Sequence, residues 1–214
     1  MQGTLEIVAD VPQAFAQLVA TEAPTSVALS GGDTARLCYE LLATADVDWS
    51  AVDVFFGDER LVPVHDPDSN EGMARAAFLD QVMPRAIHSM RGAGETPEGA
   101  AEAYDGLLRG SGPIDLVHLG LGPDGHTASL FPGSPALAET ARVVVATGDD
   151  LHPHRRVTFT FPGIARSRLV VFTVSGAGKR EAFARVRRDE DVPAARVRAD
   201  RIIWLVDGPA AGEA

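Results

Sequence analysis

Four short apolar runs in this chain each break off into a loop that combines glycine with charged or hydroxyl side chains. Residues 26–29 lead into Ser30-Gly31-Gly32-Asp33-Thr34, and residues 52–56 into Gly57-Asp58-Glu59-Arg60. Residues 114–119 lead into a glycine-rich stretch carrying Asp124 and His126, and residues 169–174 into Ser175-Gly176-Ala177-Gly178-Lys179. Apolar runs of this length, bounded by turn residues, read as buried strands. Helical patterns lie between them: residues 11–22 with a stripe of Phe15, Leu18 and Val19, then a helix from Thr34 to about 42. A third helix is capped by Ser69 or Asn70 and runs to about 79; a fourth opens at Thr96-Pro97 and runs to about 108. A fifth spans 177–186, and further strands fall at 4–8, 143–147, 157–161 and 201–206. Alternation of this kind specifies an α/β fold, a mainly parallel sheet flanked by helices. In such a sheet the four loops share the carboxyl edge, where open α/β proteins bind ligands.

The 214 residues are read as a single domain, 1–214, and 45% hydrophobic content is enough for a real core. No run is long enough to cross a membrane, and the first residues lack the basic-then-apolar pattern of a signal peptide. The one cysteine, Cys38, excludes an intramolecular disulfide, fits a cytoplasmic location and falls in a helical pattern as a small buried residue. A net charge of −11 argues against nucleic-acid binding, so an anionic small molecule must be held by a local group of cations. Of the 19 basic residues only Lys179 is lysine. The Pro- and Gly-rich residues 207–214 read as a frayed end.

Residues 119–133, Leu-Gly-Leu-Gly-Pro-Asp-Gly-His-Thr-Ala-Ser-Leu-Phe-Pro-Gly, carry the clearest chemistry. Histidine titrates nearest neutral pH, so His126 is the candidate proton carrier, and Asp124 can orient it. Gly120, Gly122 and Gly125 also spell a dinucleotide fingerprint with Asp149 downstream. That reading fails because Pro132, Gly133 and Pro135 leave no room for the following helix. The Ser30, Gly31 and Gly32 amides at a helix N-terminus suit an anion, with Thr34 adding a hydroxyl. Lys179, in the first turn of a helix, is unfavourable there unless it meets an anion. Arg60 suits forked contacts with phosphate or an oxyanion; the plain alternative is a surface ion pair with Asp58 or Glu59. His152-Pro-His154 reads as solvated rather than metal-binding, and His118 as packed within its strand.

Together these loops resemble the 6-phosphogluconolactonase family. Its S-G-G-x-T pattern is met at residues 30–34, G-D-E-R at 57–60, S-N at Ser69-Asn70, and the long D-G-H element throughout 119–133. The glycine-then-lysine element falls at 176–179 and a terminal apolar strand with Asp at 202–207, so the likeness covers about 26–207. The resemblance implies the fold shared with glucosamine-6-phosphate deaminase and ribose-5-phosphate isomerase, no metal and no cofactor. It implies hydrolysis of 6-phosphoglucono-δ-lactone, with His126 as base, Asp124 orienting it, and Arg60 on the oxyanion or the phosphate. Ser30, Gly31, Gly32, Thr34, Asp58 and Lys179 would bind substrate, in a monomer or small homo-oligomer. The rival deaminase has Asp-Glu-Tyr where this chain has Asp58-Glu59-Arg60, and a carboxylate in the loop where this chain has Phe131. A sugar-phosphate sensor of the same fold would need no Asp124–His126 pair and would carry a basic DNA-binding segment. Asp33, Ala35 and Ala165 depart from the lactonase pattern, and Asp33 is expected to weaken phosphate binding.

Overall fold

The computed structural model describes residues 1–91, 96–148 and 153–213. Strand β1 (Thr4–Ile7) precedes α1 (Val11–Glu22), which starts where Asp10 accepts from the Gln13 N–H and Pro12 occupies the first turn. It ends at Ala23, whose φ of 44° turns the chain into Pro24. Next come β2 (Ser26–Leu29), α2 (Asp33–Leu42), β3 (Asp53–Phe56) and, after Gly57 alone, β4 (Asp58–Arg60). Helix α3 (Asn70–Ala74) is capped by Ser69 and runs on as a π-helical turn over Arg75–Leu79, followed by β5 (Ala86–Ile87). The order continues through α4 (Pro97–Gly110), β6 (Leu116–Gly120), β7 (Val144–Thr147), β8 (Arg156–Phe159) and α5 (Phe161–Ala165). It closes with β9 (Leu169–Val174), α6 (Arg180–Arg187), β10 (Arg201–Val206) and α7 (Gly208–Ala211).

Seven strands form one sheet in the order β1-β10-β9-β6-β2-β3-β5, and every pairing in it is parallel. From β2 the chain winds outward through β3 and β5, then returns to place β6 on the opposite side. The loops after β2 and β6 therefore diverge from neighbouring strand ends, which opens a crevice at the carboxyl edge. The core below it is dense: β9 is buried along its whole length, and Phe172 stacks on Trp204 of β10 at 3.8 Å between centroids. Cys38 is fully buried in α2, and burial pushes its thiol up to about 12, so it behaves as a small apolar residue.

Three local expectations change. Strands β4, β8 and β7 leave the main alternation and form a separate antiparallel sheet. Only residues 148–155 separate β7 from β8, short of the dozen or so a parallel crossover needs. The strand expected over 157–161 stops at Phe159, because Thr160 caps α5 by accepting from the Gly163 N–H and Pro162 suits its first turn. The end expected to fray instead forms α7, capped by Asp207 and anchored by fully buried Ala210. The fingerprint residue Asp149 and the chelation candidate His152 lie outside the described residues; His154 pairs with Asp68 at 2.9 Å.

Candidate active site

The loop after β6 is built around one imidazole. His126 Nδ1 lies 2.5 Å from Asp124 Oδ1, and the same oxygen accepts from the His126 backbone N–H at 3.1 Å. With Nδ1–H directed at the carboxylate, Nε2 carries the lone pair of the neutral ring. A β-carbon on Gly122 would fall 2.1 Å from His126 Nδ1, so only glycine lets the ring lie over that backbone. Gly125 turns the loop at φ 89°, where Val192 would also collide with a side chain. These glycines thus serve the histidine loop, and no helix follows them before a short 3₁₀ turn at Pro135–Ala138. Burial pushes the imidazole below its usual 6.5, opposed by Asp124 and Asp58 and reinforced by Lys179. Burial works against the Asp124 charge, yet the His126 N–H and ring hold its carboxyl below the usual range.

One pocket gathers the four loops. Ser30, Gly31, Gly32 and Thr34 line it with Asp58, Arg60, His126 and Lys179, so every residue singled out for binding or chemistry except Asp124 forms its wall. Asp124 stands behind His126. Asp33 also lines the pocket as an exposed residue in the first turn of α2. The turn after β2 is held from two sides. The Ser30 N–H is spent on Tyr39 Oη at 2.7 Å, so of the three amides offered to an anion only those of Gly31 and Gly32 remain. A β-carbon on Gly31 would fall 1.9 Å from Asn70 Oδ1, and Gly32 takes a φ of 97° as it enters α2. Asn70 cannot retreat, because its Nδ2 donates to Asp58 O at 2.9 Å and to Asp58 Oδ1 at 3.3 Å. Gly31→Ala is therefore expected to lose about 1–3 kcal/mol of stability, read as a lowered Tm; an unchanged Tm would show that the turn is free to move.

Three cations line the pocket from different parts of the fold. Lys179 follows Gly176, whose φ of 92° and whose N–H bond to Asp207 (2.8 Å) place the turn. Arg60 of β4 is the register partner of Arg156 of β8, so two guanidinium side chains start from directly opposed positions. Like charges so placed repel unless an anion joins them. Nε of each is buried without a hydrogen-bond partner among the described residues. Arg60 makes no ion pair with Asp58 or Glu59; its NH1 donates to Asp68 O at 2.8 Å. Buried Asp58 accepts from Ser129 Oγ at 2.6 Å, and Glu59 accepts from Arg91 and from the N–H groups of Arg60, Asn70 and Glu71, which ties β4 to the start of α3. Phe131 packs on His126 at 4.4 Å, with the Arg156 guanidinium 5.3 Å from its ring centre.

Sequence reasoning missed Arg156, Ser129 and Asn70 as parts of this site. Arg156 left one signal, a charged residue opening the apolar run 157–159, but the strand was started one residue too late to include it. Ser129 and Asn70 lay inside recognised motifs, and only the folded chain shows that both grip Asp58.

A parallel α/β sheet with a carboxylate–histidine pair and three cations at its crevice defines an enzyme of small anionic substrates. The chain belongs to the glucosamine-6-phosphate isomerases/6-phosphogluconolactonase family, which it matches over residues 4–204. It is 44% identical over 204 residues to a 6-phosphogluconolactonase of Synechocystis sp., covering 88% of this chain and 84% of that protein. A 6-phosphogluconolactonase of Mycobacterium tuberculosis is 39% identical over 220 residues, 94% of this chain and 89% of its own. Among solved structures, 6-phosphogluconolactonase from Trypanosoma cruzi aligns with a TM-score of 0.83 at 26% identity, over 99% of this chain and 96% of that one. A monomeric glucosamine-6-phosphate deaminase aligns equally well, with a TM-score of 0.84 over 98% of this chain and 99% of that one, at 20% identity. The fold thus accommodates both activities, and the side chains must separate them.

Proposed function

We propose that this protein hydrolyses 6-phosphoglucono-δ-lactone to 6-phosphogluconate, with His126 activating the attacking water. The observation that carries the reading is the Asp124–His126 pair, joined at 2.5 Å, on a pocket lined by Lys179 from the turn after β9 and by Arg60 and Arg156 from the small antiparallel sheet. A phosphate monoester and a lactone carbonyl on one small molecule give these cations their partners. Lys179, Thr34 and the Gly31 and Gly32 amides at the α2 N-terminus take the phosphate. Arg60 and Arg156 face the carbonyl end, where buried forked donors stabilise an oxyanion most. Asp58, fixed by Ser129 and Asn70, accepts from a sugar hydroxyl.

His126 Nε2 removes a proton from water as the oxygen bonds to the carbonyl carbon. Negative charge passes to the carbonyl oxygen and meets the guanidinium groups. Collapse of the adduct breaks the bond to the ring oxygen, which takes the proton back from the imidazolium. Asp124 holds the ring in the tautomer that can accept and stabilises its charged form. Phe131 stands where the deaminase places a carboxylate, so proton transfer of the deaminase type has no group to perform it. The protein acts on this small molecule in the cytoplasm as one domain, a monomer or small homo-oligomer, without nucleic acid.

Freshly prepared lactone, with product drawn into a coupled NADP-reducing dehydrogenase, is expected to disappear well above its spontaneous rate. Glucosamine 6-phosphate is expected to release no ammonia at a comparable rate. No acceleration of lactone loss would remove the assignment, and ammonia release rivalling it would transfer the assignment to the deaminase.

A further inference from the structure

Behind the pocket, and reaching its wall at Thr173, runs a buried polar chain that the mechanism leaves unused. Tyr39 Oη, which accepts from the Ser30 N–H at 2.7 Å, lies 2.8 Å from His118 Nδ1, and His118 Nε2 lies 2.8 Å from Thr173 Oγ1. Tyr39 and His118 are fully buried, Thr173 is nearly so, and Phe15 stacks on the imidazole at 4.1 Å. Burial pushes His118 down to about 3, so the ring is neutral, with one N–H and one lone pair. The Tyr39 proton has two acceptors in reach, His118 Nδ1 at 2.8 Å and Ser30 O at 3.3 Å. With the Tyr39 hydroxyl donating along the shorter contact, Nδ1 is the acceptor and Nε2–H the donor to Thr173.

A leucine could fill the space beside Phe15 without burying polar atoms. Instead a series of polar groups is buried that runs from Thr173 at the pocket wall to the backbone of the turn after β2. That turn is already clamped at Gly31 by Asn70, and Gly32 enters α2 directly behind it. A shift at Ser30 therefore carries the next two amides with it. We infer that His118 is a positioning residue that, through Tyr39, sets the place of the Ser30-Gly31-Gly32 turn and so the affinity of the pocket for a phosphate monoester. The inference rests on the assignment of this turn to phosphate.

The two imidazole nitrogens can be replaced separately. His118→Asn keeps an acceptor near Nδ1, and His118→Gln keeps a donor near Nε2. The probe is D-glucitol 6-phosphate, which has the phosphate and no lactone, titrated calorimetrically so that binding is read without turnover. His118→Gln and Tyr39→Phe are each expected to weaken binding roughly three- to tenfold, the scale of one neutral hydrogen bond. His118→Asn should stay within about twofold of the parent, and Tyr39→Phe/His118→Gln should bind no more weakly than either single variant, since both cut one path. In lactone turnover the same variants should raise KM and leave kcat within about twofold. Unchanged affinity in all variants, even with a lower Tm, would reduce His118 to a packing residue and overturn the inference. Equal weakening by Asn and Gln, or additive losses in the double variant, would also overturn it. If His118→Gln does not fold, Tyr39→Phe alone decides: parent-like affinity refutes the path. A parent protein that binds the probe but hydrolyses no lactone would sink the lactonase assignment and leave the positioning test intact.

Discussion

Replacing His126 with alanine is expected to lower kcat by roughly 10²–10⁴-fold, the scale of losing a positioned general base. The variant keeps Lys179, Arg60 and Arg156 on the pocket, so substrate should still bind and KM should change far less than kcat. The fold should also survive. His126 is half-buried at the pocket wall and packs mainly on Phe131, while the loop is closed by backbone bonds from Gly122 N–H to His126 O (2.9 Å) and from Gly125 N–H to Gly122 O (3.0 Å). A stopped assay on lactone alongside a thermal melt separates the two effects. Near-full turnover would remove His126 from the chemistry. The pH profile gives a second test on the parent protein. Only the neutral ring accepts a proton, and burial holds its pKa below the usual 6.5. Activity should therefore rise with pH through a midpoint below 6.5 and be flat by neutrality. A midpoint above that value would mean that the titrating base is another group.

Lys179→Ala should act on the opposite quantity. The phosphate lies far from the carbonyl and changes little as the reaction proceeds, so its contacts are made about equally in ground and transition states. Losing such a contact raises KM and spares kcat. A charge-assisted hydrogen bond contributes about 1.5–3 kcal/mol, so KM should rise roughly ten- to a hundredfold. Salt should weaken the parent more than the variant, because the variant has already lost the screened attraction. Lys179 also depresses the His126 pKa, so the acid limb of the variant should move to higher pH. Saturation curves at two salt concentrations and a pH series test all three signatures. A KM within twofold of the parent would make the lysine an ordinary surface residue.

Local information explains why so much of the architecture was legible. The bounds of α1, β2, β9 and β10 follow from caps, prolines and apolar runs that act within a few residues. The long motif at residues 119–133 announced a candidate base and the acid that pairs with it because both sit on one tight loop, two residues apart. The pocket itself was implied once four strand ends were assigned to one sheet edge. Asn70 and Ser129 were visible as motif members without a task.

What depends on distant pairing was not legible. Arg156 reaches the site only because β8 pairs antiparallel with β4 and sets it opposite Arg60, a partner 96 positions away in the chain. In that small sheet β7 and β8 read locally like main-sheet strands, whereas β4 is the charged run Asp58-Glu59-Arg60, which reads as a loop until β8 pairs with it. The Ser30 amide read as free, because its acceptor, Tyr39, depends on how α2 rolls onto the sheet and on His118 behind it. Sequence by itself determined most strands and helices of the main sheet, the loop that pairs Asp124 with His126 and the edge where the motif loops gather, since these follow from backbone preference and nearest-neighbour patterning. Only the tertiary structure decided which charges oppose, which amides stay open and which buried groups support them, because each depends on packing between residues far apart in the chain.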